Sequence, residues 1–192
     1  MFQKRLLSLV LLVGLYQTST AQNIDLFSEK SSLSGRDIVT GTFKSTRIVN
    51  GQSIENVGAG LLDFRILHRF GTINQGGYNL FGLDQALMRI GFEYGVTDRL
   101  MVGFGRSNVN KAYDTFLKYK ILRQGSGKHN IPLSVSYFAS AVCNTVKWAE
   151  PNRDNYFSSR MQYTHQLLIA RKFNNDLSLQ LTPTLVHKNL VP

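Results

Sequence analysis

Cysteine is nearly missing. Cys143 is the single one in 192 residues, which excludes an intrachain disulfide and any Cys-x-x-Cys zinc knuckle. Beyond residue 16 there is no long apolar run, so no helix in that part of the chain can be expected to cross a bilayer core of about 30 Å. Entry into a membrane would have to be as a barrel, because open strands cannot satisfy their backbone groups in lipid. Catalytic and metal signatures are missing too. The four histidines, His68, His129, His165 and His187, form no H-E-x-x-H or Cys/His metal spacing, and no G-x-S-x-G elbow occurs. Acid is also short, with 12 Asp and Glu against 22 Lys and Arg, a formal charge of +10.

What is present begins with an export pattern. Lys4 and Arg5 precede an apolar stretch at 6–16, followed by a polar segment in which Ser19 and Ala21 stand at −3 and −1 of a cut before Gln22. These are the three parts of a secretory signal peptide, expected at 1–21. Cleavage would lower the charge from +10 to +8 and leave about 170 residues, enough for one domain. A basic exported protein does not meet nucleic acid as its normal partner. Its charge is expected to face lipopolysaccharide phosphates, anionic solutes or a basic lumen.

The period of the mature chain is two. Met88, Ile90, Phe92 and Tyr94 share one phase, with Arg89, Gly91, Glu93 and Gly95 on the other. After a short polar turn at 96–99, Leu100, Val102 and Phe104 alternate with Gly103 and Gly105. This is a β-hairpin with one apolar face and one face of glycine and charge. The same alternation runs through 62–70, 114–121, 133–140, 162–169 and 177–182, and 42–49 is β-prone. The expected fold is therefore all-β, an antiparallel up-and-down transmembrane barrel of about eight or more strands, with apolar residues outward. A flexible lead-in is expected at 22–40 and the barrel domain at 41–192. Loops alternate between long (71–85, 143–157) and short (96–99, 172–176), as in outer-membrane barrels. Tyrosines 94, 113, 137 and 163 lie near strand ends, where an aromatic belt would sit.

Two features conflict with that scheme. Short turns on the periplasmic side would start strand 42–49 outside the cell, so either a strand is miscounted or the amino-terminal arm threads the lumen. The sequence also stops at Leu190-Val191-Pro192 without a terminal aromatic strand, which suggests a barrel incomplete at its carboxyl end.

An ordered set of short motifs carries a resemblance. Gly41-Thr42-Phe43-Lys44-Ser45-Thr46-Arg47, His68-Arg69-Phe70-Gly71, Leu80-Phe81-Gly82-Leu83-Asp84, Gly91-Phe92-Glu93-Tyr94-Gly95-Val96-Thr97-Asp98, Gly103-Phe104-Gly105-Arg106-Ser107 and Leu117-Lys118-Tyr119-Lys120 follow one another. Together they resemble an uncharacterised, domain-of-unknown-function family of outer-membrane β-barrels from Bacteroidota, over roughly 40–190. The resemblance implies a barrel and an outer-membrane address. It brings no activity and no catalytic residues.

The residues of interest are the charges on the inward phase: Asp63, Arg65, Arg69, Arg89, Glu93, Lys118 and Lys120. In a narrow barrel such residues pair and fill the interior. The functional alternative is a basic lining that selects anionic solutes. The glycine pair at 103 and 105 is read as small interior residues, since a phosphate loop needs a following helix. No catalytic residue, metal ligand or cofactor site is expected. The reading is a non-enzymatic outer-membrane barrel with a solute-passage, structural or adaptor role. Its expected partners are outer-membrane lipids, lipopolysaccharide and other envelope proteins. The alternatives are an outer-membrane lipid-modifying enzyme and a soluble exported β-barrel or sandwich that binds a ligand.

Overall fold

Alternation along the strands sets the architecture. The computed structural model describes residues 36–189 apart from 128, 129, 149 and 153. The expected signal peptide, most of the 22–40 lead-in and His129 lie outside the described residues. In chain order the strands are β1 (Arg36–Ile38), β2 (Arg47–Ile48), β3 (Gly51–Gln52), β4 (Leu62–Arg69), β5 (Leu87–Gly95) and β6 (Leu100–Ser107). They continue with β7 (Tyr113–Leu122), β8 (Gly125–Gly127), β9 (Ser134–Cys143), β10 (Met161–Lys172), β11 (Ser178–Leu181) and β12 (Thr184–Lys188). An antiparallel meander β4-β5-β6-β7-β9-β10-β11 forms the wall, and β12 also pairs with β10. This eight-stranded sheet is a half-barrel whose edges are β4 and β11–β12. No described helix is long and apolar enough to cross a membrane.

β11 and β12 lie end to end along β10, opposite 169–172 and 162–166 respectively. Pro183 divides them. It has no N–H to give to the ladder, which a proline tolerates on an edge strand, and its carbonyl still accepts from Leu167 N at 3.1 Å. The tight turns are closed by side chains suited to them. Thr97 Oγ1 accepts from Leu100 N at 3.0 Å, and Asn174 Oδ1 accepts from Asp176 N at 2.9 Å and Leu177 N at 2.7 Å.

The two faces differ as period two requires. On one, Phe64, Phe92 and Phe104 are about half exposed, at 53%, 47% and 52%, and Ile66, Met88, Ile90, Val102, Leu117 and Leu167 join them. A contiguous apolar surface of this extent on a sheet is that of a wall set in lipid. A soluble sandwich would bury it. On the other face Glu93, Lys118, Met101 and Leu168 are fully buried.

What buries them corrects the expectation for 42–49. That segment is not a wall strand. Only Arg47–Ile48 is extended, and it pairs with Gly51–Gln52 in a small ribbon of its own. Residues 40–57 instead run across the inner face, with Thr42, Thr46, Gln52, Ser53, Ile54 and Val57 buried there. The physical reason is that Thr, Phe, Ile and Val give the segment local β-propensity, whereas its polar groups find side-chain partners on the wall and not a free ladder. Both ways out of the parity conflict apply, since 42–49 is one strand too many in the wall and the arm lies inside. The first wall strand is β4, which starts at the end carrying the turns 96–99 and 173–177. β1 pairs with β8 at that same end. The segments 70–86 and 144–160 lie at the other.

The facing of β5 yields a stability test. Phe92→Arg places a charge on the lipid side, and a loss of about 2–4 kcal/mol is expected near mid-membrane. Urea unfolding in lipid, with Phe92→Leu as control, measures it.

Candidate functional site

The inner face forms one polar layer between wall and arm. Glu93 on β5 is its acidic centre. Arg47 of the arm pairs with it, Thr46 Oγ1 donates to it at 3.3 Å, and Arg65 Nε of β4 stands 3.9 Å away. Arg65 also donates from Nε to Asp63 Oδ2 at 2.7 Å. The Arg47 guanidinium lies 5.4 Å from the centre of the Phe116 ring, which packs on Phe138 at 5.3 Å. The arginine therefore meets a carboxylate and an aromatic face together.

Lys118 on β7 is handled differently. Its ammonium is completely buried and donates to Gln52 Oε1 at 3.2 Å, to Ser53 O at 3.1 Å and to Glu55 O. Three acceptors match the three donors of an ammonium. Lys120, two residues on and on the same face, reaches Glu55 Oε2 at 3.6 Å, and Thr42 N donates to Glu55 Oε1 at 2.8 Å. Gln180 of β11 clamps the arm from the far edge. It accepts from Ile54 N at 2.9 Å and donates to Gln52 O at 2.8 Å. Lys172 donates to the carbonyls of Thr40 and Gly41 at 3.4 and 3.3 Å.

Arg89 makes a separate link nearer the long-loop end. It crosses from β5 over β6 to Asp114 on β7, with Nε to Oδ1 at 2.8 Å. Glycine makes the crossing possible. A Cβ at Gly105 would stand 2.9 Å from Arg89 Nε and closer still to its guanidinium carbon, and one at Gly91 would stand 3.0 Å from that carbon. Gly95 plays the same part for the arm, since a Cβ there would run into the carbonyls of Val57 and Gly58.

Of the seven charges read from the sequence, the structure gathers Asp63, Arg65 and Glu93 in one cluster and Lys118 and Lys120 in a second, and it joins Arg89 to Asp114. Arg69 is exposed at the end of β4 and is not drawn in. The sequence reading left out Arg47, Gln52, Glu55, Asp114 and Gln180. Asp114 shares the phase of Lys118 and Lys120 and could have been found by that rule. The arm residues offered no comparable signal, because no regular period runs through 40–57.

The comparison with known families now bears on this geometry. Residues 43–192 match the family model described as Membrane bound beta barrel domain (DUF5777). The chain belongs to this family. It is thus a membrane-bound β-barrel domain, and the match starts within the arm, so arm and wall fall in one unit. No curated protein and no solved structure matches it.

Outside the inner layer the barrel domain holds few chemical groupings. His68 packs on Phe70 at 4.8 Å, Tyr137 and His165 Nδ1 lie at hydrogen-bond distance, 2.7 Å, and His187 stacks on Tyr163. All three histidines stand on the outer phase of their strands. Among the described residues no His, Cys, Asp and Glu group is arranged to hold a metal. A cleft of about 600 Å³ at the long-loop end is lined by Cys143, Lys147, Trp148, Phe157 and Arg160, with the Arg160 guanidinium 3.8 Å from the Trp148 ring centre.

Two variants test the layer. Glu93→Leu leaves Arg47 without its carboxylate beside a buried site, and a cost on the order of 3 kcal/mol is expected. Proteolysis should then cut the arm within 40–57 faster than in the parent, with the wall uncut. Gly105→Val displaces Arg89 from Asp114, costing about 1–3 kcal/mol. In an Arg89→Ala background the same change should cost much less, a non-additivity that a double-mutant cycle reads from urea unfolding.

Proposed function

We propose that this protein is an outer-membrane barrel whose interior is filled at one end by its own amino-terminal arm, and that its role is structural or adaptor-like and non-enzymatic. The observation that carries the reading is the burial of Ser53, Glu93 and Lys118 between arm and wall. Each charge there is met by a partner, so the inner face is organised to hold a segment of chain and not to pass an anion. A lining selective for anions would keep its cations facing water.

The outer-membrane address is supported by the secretory pattern at the start of the sequence. The connections at 96–99 and 173–177 are tight and those at 70–86 and 144–160 longer, in line with such barrels, although 123–133 joins β7 to β9 at the tight-turn end. In this arrangement the arm enters from the periplasmic end, where the first wall strand begins. Outer-membrane lipids and lipopolysaccharide cover the apolar wall, and other envelope proteins meet the ends.

Conductance separates this role from solute passage. The full-length protein in a planar bilayer is expected to show no steady ion current. Stepwise, anion-selective conductance from the unmodified protein would overturn the filled-interior reading.

A further inference from the structure

The segment between β4 and β5 presents an apolar surface that the inner layer does not use. Ile73, Tyr78, Leu80, Phe81 and Leu83 are 52–96% exposed there, Tyr78 the most at 96%. Over 71–85 the only charged residue is Asp84. This surface is also held in shape. A 3-10 turn at Ile73–Gln75 is followed by the segment Gly77–Gln85, which is broken in its middle by non-helical backbone at Asn79, Leu80, Phe81 and Gly82. Gly71 N donates to Gly82 O at 2.8 Å and Phe81 N to Gly76 O at 3.0 Å. Gly82 is buried with φ 91, and a Cβ there would lie 2.6 Å from the backbone of Gly71.

Leu80 and Phe81 sit in the left-handed region, with φ 43 and 54. That conformation is costly for residues with a large side chain, and it persists only where surroundings favour it. Neither side chain is buried, so burial within the described protein does not offset that cost. In this conformation Leu80 and Phe81 are left exposed, as Tyr78 is.

We propose that the 73–83 loop is an interfacial membrane anchor, seated at the headgroup boundary of the bilayer that surrounds the wall. Continuity argues for lipid as the occupant. The loop springs from Phe70, just past the end of β4, and returns at Met88 of β5, both exposed and on the phase of Ile66 and Ile90 of the lipid-facing wall. Tyrosine and phenylalanine on a segment almost free of charge suit the membrane–water boundary. The inference rests on the membrane setting of the family and not on the state of the interior.

Nitroxide labels on the full chain in phosphatidylcholine vesicles test it. With Cys143→Ser as background, single cysteines are placed at Tyr78, at Phe81, at Phe92 as the lipid standard and at Asn175 as the water standard. Collision with oxygen and with a water-soluble nickel chelate is then compared. The oxygen-to-nickel ratio at 78 and 81 is expected to be several-fold above that at 175 and to approach that at 92. If Phe81→Cys fails to fold, Ile73→Cys, outside the left-handed turn, replaces it. A ratio at these sites as low as at 175 would overturn the anchor. So would labels shielded from both reagents, as contact with protein produces. Conductance plays no part in the readout, so failure here leaves the filled-interior reading to its own test.

Discussion

The buried ammonium of Lys118 is the constraint on which the inner layer turns. An amine taken out of water needs acceptors for all its protons or its burial costs several kcal/mol. The wall does not provide them, because the neighbouring inner positions carry Met101, Phe116 and Phe138. The acceptors come from Gln52, Ser53 and Glu55 of the arm. Once those groups are fixed, Glu55 lies within reach of Lys120, Arg47 reaches Glu93, and Gln180 closes on the arm backbone from the other edge. The arm thus ties the Glu93 and Lys118 clusters together, and the loss of a member leaves its direct partners unmet as well as removing a contact.

Glycine is the second requirement. The inner face must accept both a crossing guanidinium and a length of backbone, and a Cβ at Gly91, Gly95 or Gly105 would block one or the other. At Gly103 a Cβ would strike the Phe116 ring, the same ring that stands under Arg47. Glycines that weaken a strand by entropy are thus placed where close approach returns more than the strand loses. At Gly91 the Arg89 guanidinium, tied to Asp114, occupies the space a side chain would need, so even serine would have to displace it.

The wall was legible because period two is a local signal. Strands β4 to β7, β9 and β10 follow the alternation, with ends within three residues of those expected, and the apolar phase is the more exposed one. The arm was not legible for the same physical reason. Its residues pair through side chains with partners on five different strands, which imposes no period on the sequence. The β-branched and aromatic residues at 42–49 mimic a strand because propensity reports only the preference for extended backbone, and a free edge is a property of the whole sheet. The parity of the turns held the better clue, since it depends on every strand at once. Two isolated positions show the same divide. Asp114 follows the alternation and was overlooked, whereas no feature of the sequence links Gln180 to residues 52 and 54.

The separations involved order the assembly. Each wall hairpin pairs residues close in sequence, such as Tyr94 with Val102 across the turn 96–99. The arm's clamps are of another kind. Ile54 meets Gln180 across 126 residues, and Lys172 meets Thr40 across 132. The first cannot exist until β11 is in place, and the site for Glu55 cannot exist until β7 presents Lys118 and Lys120. Loop closure over such spans is entropically costly and returns nothing until the distant partner is present. The arm's clamps therefore form only once those distant strands are present. Its polar composition is compatible with that requirement, because a segment of Thr, Ser, Gln, Arg and Glu is well solvated outside its site. The same residues then become the partners that let Lys118 and Glu93 stand behind an apolar wall.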